Sequence, residues 1–225
     1  MNDRLLHKWD VDLNEARKIQ ERLSKHLVLE PYTLGKCMVA GIDVSFRKST
    51  QEASAAIAVM SYPQLRIIEI SIARMKMTFP YIPGYLAFRE APAILEAWAK
   101  LKTKPNLLVF DGQGLAHPRR FGLACHLGVI FDLPAIGCAK SHLYGDFVEP
   151  AQEKGAYSHI IDPAKQDKIG AAVRTRNNVS CVYISPGNHM DIESAVRTIF
   201  SLTHRYRLPE PIRYAHKYSG KGWEE

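Results

Sequence analysis

A chain of 225 residues, 46% of them hydrophobic, is long enough to bury one good core and does not require a second domain, so one domain over residues 1–225 is expected. Lysine and arginine outnumber aspartate and glutamate by 30 to 23, and the net charge of +7 with an isoelectric point near 9.2 favours a polyanionic partner over an acidic or neutral one. The N-terminus, Met1-Asn2-Asp3-Arg4, opens into charged sequence and no stretch approaches ~18 uninterrupted apolar residues, which argues against a signal peptide or membrane span and for a cytoplasmic protein.

Asp12 followed by Glu15 has the form of a capping box, and Leu13, Ala16, Ile19, Leu23 and Leu27 then trace one helical face to about residue 28. Three strands are predicted next, over 37–46, 53–60 and 65–73, with connections too short for crossover helices, so they should form an antiparallel meander. The pattern then alternates: a helix over 89–102, a strand over 106–111, a helix over 118–128 and a short strand over 134–138. Alternation implies parallel pairing through helical crossovers. A polar segment, 145–168, reads as a surface excursion. It is followed by a strand pair over 169–174 and 180–185, a helix over 190–204 and a final helix after Pro211. The four cysteines, Cys37, Cys125, Cys138 and Cys181, lie far apart among apolar residues without zinc-type spacing, as buried free thiols do.

A meander joined to a βαβ section gives an α/β fold with a mixed five-stranded central sheet, order 3-2-1-4-5, flanked by helices. That order sets the first and fourth strands side by side, and each ends its apolar run on an aspartate: Asp43 in Val39-Ala40-Gly41-Ile42-Asp43-Val44, and Asp111 in Leu107-Leu108-Val109-Phe110-Asp111-Gly112. Neighbouring strands lie ~4.8 Å apart, so the two acids face one small volume. Their repulsion must be relieved by a proton or a cation, and a divalent metal answers it best. Each could otherwise cap its strand by accepting backbone N–H bonds.

Other stretches carry chemistry of their own. Glu90, just before Pro92, fits the first turn of a helix. Lys140, after a short apolar strand, could stabilise charge growing on a phosphate. His117-Pro118-Arg119-Arg120 reads as a helix start with proline at its first position, and also offers a donor and two cations to a phosphate backbone. Pro80, Tyr81, Ile82, Pro83 and Gly84 make a stiff loop with an aromatic and an aliphatic side chain, suited to wedging between base pairs.

Ile42-Asp43-Val44, Phe79-Pro80-Tyr81-Ile82-Pro83-Gly84, Phe88-Arg89-Glu90, the run from Asp111 to Arg120, and Gly137-Cys138-Ala139-Lys140-Ser141, in this order and spacing, closely resemble endonuclease V, the inosine-directed nuclease of the ribonuclease-H-like superfamily. The likeness runs from the first helix to Pro209-Glu210-Pro211. It implies that Asp43, Glu90 and Asp111 bind Mg²⁺, with Mn²⁺ able to substitute, and that His216 completes the site or serves a second metal. It further implies a strand-separating wedge at Pro80–Gly84, and a main-chain pocket for the extruded base at Gly84, Leu86, Gly112, Gly122, Leu123 and Ala139, where small residues allow close approach. Phosphate contacts fall to Arg89, His117, Arg119 and Arg120.

The implied reaction is hydrolysis of the second phosphodiester 3′ to deoxyinosine in damaged DNA by a monomeric enzyme, leaving 3′-hydroxyl and 5′-phosphate ends. Hypoxanthine differs from adenine by an O6 acceptor and an N1–H donor, and from guanine by lacking the 2-amino group. Inosine-containing RNA is an alternative substrate, and a non-catalytic nucleic-acid-binding module an alternative function. Two departures stand out: Ser185-Pro186-Gly187-Asn188-His189 where many relatives read Ser-Pro-Gly-His, and Cys125 at a position where the family carries serine.

Overall fold

Three long strands, β1 (Cys37–Arg47), β2 (Glu52–Tyr62) and β3 (Ile67–Lys76), form the antiparallel meander expected from their short connections. The computed structural model describes residues 3–221 and Trp223. Helix α1 (Leu13–Leu23) precedes the meander, with the Asp12 side chain accepting from the Glu15 N–H at its start. Its inward face is Ala16, Ile19, Gln20 and Leu23, while Leu13 is 45% exposed and the helix stops before Leu27.

Helix α2 (Leu86–Ala99) leads into β4 (Leu107–Phe110), which pairs parallel with β1, and α3 (Leu123–Phe131) leads into β5 (Ala135–Ala139), which pairs parallel with β4. The predicted order 3-2-1-4-5 is therefore present, but the sheet does not stop there. Strands β6 (Tyr157–Ile161), β7 (Lys168–Val173) and β8 (Val182–Pro186) extend it antiparallel, giving eight strands in the order β3-β2-β1-β4-β5-β8-β7-β6. The segment 145–168 is thus partly edge strand. Helices α4 (Ile192–Ser201) and α5 (Glu210–Lys221) complete the chain.

Two elements begin earlier or later than the sequence indicates. Helix α2 starts at Leu86, so Glu90 lies beyond its first turn and Pro92 is inside the helix. Helix α3 starts at Leu123 and not at Pro118; residues 117–120 instead make a turn closed by the Arg120 N–H on the His117 carbonyl, 2.7 Å, with Arg120 at φ 52°.

Side-chain alternation along β1 and β4 sorts the core into two layers. Ala40, Ile42, Leu108 and Phe110 face Ala91, Ile94 and Ala97 of α2 and Leu127 and Ile130 of α3. Val39, Leu107 and Val109 face Ala195 and Ile199 of α4 and Ile212 of α5. Gly41, on this second face, is where α5 crosses: a Cβ there would stand 2.0 Å from the Pro211 carbonyl oxygen. The additional Asn188 is absorbed inside, buried, its amide donating to the Gly128 carbonyl and accepting from the Val28 N–H, while the following His189 takes φ 47°. Cys125 is buried in contact with the Pro186 carbonyl, and the four cysteines are free thiols.

Candidate active site

Alternation continued by two residues puts Asp43, inside β1, and Asp111, just past the end of β4, side by side on the α5 face, and the Asp111 N–H bonds the Ile42 carbonyl at 2.9 Å. Helix α5 supplies the opposite wall. His216 Nδ1 lies 3.2 Å from Asp43 Oδ2, and the Ser219 hydroxyl, one turn further along, donates to the same oxygen at 2.6 Å. Lys140, immediately after β5, brings its ammonium 2.5 Å from Asp111 Oδ2, 4.0 Å from Asp43 Oδ1 and 3.2 Å from His216 Nδ1. The Lys140 carbonyl is held by Arg207 at 2.7 Å.

The electrostatics follow from burying two acids together. Burial works against the Asp43 carboxylate, but its hydrogen bonds with Asp111 and Ser219 and the charges of Lys140 and His216 outweigh it and hold Asp43 below the usual carboxylate range. Burial, the bond with Asp43 and the repulsion from it push Asp111 up to about 7, against the pull of Lys140. Burial together thus makes it costly for both acids to carry their charges at once. Glu90, fully enclosed, is pushed well above its ordinary value by burial and then by both aspartates, with Arg89 opposing.

Asp43, Asp111 and His216 offer ligand atoms within 4.8 Å of one another, the one such trio among the described residues. Two hard carboxylate oxygens and an imidazole nitrogen suit a small divalent cation, and the repulsion between the two buried carboxylates, which Lys140 partly offsets, is what such a cation relieves. Glu90 feels the two aspartates electrostatically but stands outside the trio. Ser219 was not picked out from the sequence, where a helical serine looks like surface.

A small cavity adjoins this site, with Gly84, Leu86, Gly122 and Leu123 in its wall. These are four of the six positions the resemblance implies for a base pocket. Gly112 backs the cavity, since a Cβ there would meet Leu123 Cδ2 at 3.3 Å and Leu86 Cδ2 at 3.8 Å, whereas Ala139 is not in the wall. Gln20, Ala87, Gln113, His117 and Leu143 complete the lining; the sequence marks only His117 among them, and that for a phosphate contact. For the others the one available signal was Gln20, a polar residue on the apolar face of α1.

The Pro80–Pro83 loop stands out beside the cavity with Tyr81 70% exposed, anchored by buried Phe79. It ends at Gly84, φ 82°, whose carbonyl accepts from His117 Nε2 at 3.0 Å, from Gln20 Nε2 at 3.1 Å and from Arg119 Nη2. His117 is buried, with its other ring nitrogen accepting from the Arg119 N–H. Arg119 also lies over the Tyr85 ring at 4.1 Å, Arg120 pairs with Asp162 and Asp167, and Arg89 bonds the Phe79 carbonyl and covers the Phe46 ring. All four side chains are therefore engaged within the protein, and the turn from His117 to Arg120 serves to clamp the loop.

Comparison with known proteins accounts for this layout. A sequence model of the family described as Endonuclease V matches residues 21–217. An endonuclease V from Rippkaea orientalis is 48% identical over 211 residues, 93% of this chain and 91% of the relative. The crystal structure of an endonuclease V from Streptomyces avermitilis matches with a TM-score of 0.90 at 37% identity, over 95% of this chain and 94% of that one. An endonuclease V from Ciona intestinalis, crystallised with a 24mer DNA containing an inosine followed by a ribo-adenosine, matches with a TM-score of 0.81 at 28% identity, over 93% and 97%.

Proposed function

Because the chain belongs to the endonuclease V family and is a nuclease, we propose that it recognises deoxyinosine in DNA and hydrolyses the second phosphodiester on the 3′ side, with Mg²⁺ held by Asp43, Asp111 and His216. The observation that carries this reading is the convergence of those three side chains with Lys140 beside a cavity whose wall includes Gly84, Leu86, Gly122 and Leu123. When bound, the cation polarises a phosphoryl oxygen, promotes hydroxide formation and offsets charge on the leaving 3′-oxygen.

The chain's own residues do the rest. Asp43 is held ionised by Ser219 and its cationic neighbours, ready to ligate. Asp111 would hold the cation in its deprotonated form, because metal ligands must be deprotonated. Lys140, whose ammonium offsets the aspartates, stands where it would stabilise negative charge on a phosphate bound at the site. The exposed Tyr81 and the prolines of its loop, Pro80 and Pro83, fill the gap in the duplex once the lesion nucleotide is extruded, a step cheapest at a mispaired base.

The test is cleavage of end-labelled duplexes carrying one deoxyinosine or none, with Mg²⁺ or EDTA, mapped at nucleotide resolution. A Mg²⁺-dependent nick one nucleotide beyond the inosine is expected. Asp43→Ala and Asp111→Ala should lower the rate about a thousandfold or more, since the charge stabilisation removed is worth several kcal/mol at 1.36 kcal/mol per tenfold. Full activity in either variant would refute the assignment, and the same sequence as inosine-containing RNA reports the sugar preference.

A further inference from the structure

Among the polar side chains lining the cavity, all but one have spent their hydrogen bonds. Gln20 donates to the Gly84 and Phe121 carbonyls and accepts from Arg119 Nε at 2.6 Å; His117 uses both ring nitrogens, on Gly84 and on Arg119. Gln113 differs. It is only 7% exposed, and its Nε2 donates to the Ser141 carbonyl at 3.1 Å, but its Oε1 is buried with no partner. The amide orientation is fixed by that donated bond, because the reverse would set Oε1 against the Ser141 oxygen. A buried amide acceptor left unsatisfied is costly, and such an atom in a native protein calls for an explanation.

We propose that Gln113 Oε1 is the acceptor for the N1–H of the flipped-out hypoxanthine, and that it sets the preference for inosine over adenosine. The inference rests on reading the cavity as the lesion pocket. Deamination of adenine converts N1 from a lone-pair acceptor into an N–H donor. Hypoxanthine therefore completes the bond that Gln113 lacks, whereas adenine presents a second lone pair to Oε1 and leaves both atoms unsatisfied. Sites that bond a substrate donor reject analogues lacking it by large factors, 10⁴-fold or more in the strongest cases. Main-chain groups around the cavity can shape the pocket for any purine, but Gln113 responds to the chemical change that defines the lesion.

Single-stranded oligonucleotides carrying one inosine or one adenosine at the same position remove the pairing energy from the comparison. Two readouts are taken: competition binding in EDTA, and kcat/KM for inosine cleavage with Mg²⁺. Gln113→Leu should lose ~10-fold or more in inosine affinity and bring the inosine-to-adenosine ratio close to one. Gln113→Glu retains an acceptor but forfeits the bond to Ser141, so it should keep most of the ratio; if Gln113 acted only by bracing the Lys140–Ser141 turn, both variants would be equally impaired. Wild-type preference in Gln113→Leu, or Gln113→Glu as impaired as Gln113→Leu, overturns the assignment of Gln113 alone. A wild-type protein with no inosine preference overturns the lesion-pocket reading and this proposal with it.

Discussion

At the scale of single residues, the site is governed by which partner each carboxylate keeps. Asp43 is the best supported of the acids, with the Ser219 hydroxyl at 2.6 Å and His216 at 3.2 Å on the same oxygen. A hydroxyl that orients a ligating carboxylate tunes metal affinity more than chemistry, typically by 10–100-fold. Ser219→Ala should therefore raise the Mg²⁺ concentration needed for half-maximal cleavage ~10-fold or more, with the rate recovering at saturating metal. A rate defect that no metal concentration repairs would show that Ser219 acts otherwise. The paired aspartates were legible in the sequence because each closes an apolar run, and period-two alternation then fixes the face they share. Ser219 was not, since nothing but the docking of α5 on β1 separates it from other helical serines.

That docking is the critical event at the scale of elements. Gly41 lets the Pro211 backbone lie directly on β1, and the Ser45 hydroxyl ties the end of α5 through the Ser219 carbonyl at 2.7 Å. Gly41→Ala forces backbone apart from backbone, and overpacking of this kind costs about 1–3 kcal/mol. For a chain this long that is roughly 2–12 °C in melting temperature, and activity should fall further than stability because His216 and Ser219 move with the helix. Gly35→Ala, where nothing lies within 4 Å, is the control and should leave both unchanged in a thermal melt and a cleavage assay. The meander and the two parallel crossovers could be read in advance because strand runs and connection lengths leave few topologies. The start of α3 could not: all nine of its residues are buried, so no amphipathic stripe marks where it begins, and Pro118 offered a false start. Nor could β6, a sheet-edge strand whose Tyr157-Ser158-His159 carries more polar surface than alternation.

For the whole molecule, acid stability separates the His117 clamp on the Pro80–Gly84 loop from the acidic cluster, because the two bind protons with opposite sign. His117 is lowered from 6.5 to about 4, by burial first and then by the Arg119 charge, with the bond to Gly84 opposing; His126, fully buried 2.8 Å from His7, is also lowered, chiefly by burial. The unfolded chain protonates these imidazoles near their ordinary value while the folded chain refuses the proton. Their contribution is therefore complete above pH ~6.5 and is lost as pH falls, for His117 down to about 4, an amount of at most about 3 kcal/mol. Asp111 and Glu90 act the other way in the metal-free protein, since their raised values make the folded chain take up protons before the unfolded one does. The overall melting curve should accordingly be flatter between pH 7 and pH 4.5 than either set alone would make it. His117→Asn isolates the clamp: whatever its cost at pH 7.5, its stability deficit relative to the parent should shrink as pH falls from 6.5 towards 4, by roughly 6–12 °C in melting temperature if the full amount is realised. A deficit that stays constant across that window would mean that His117 takes up its proton in the folded protein as readily as in the unfolded chain, and that the Gly84 carbonyl does not depend on a neutral imidazole.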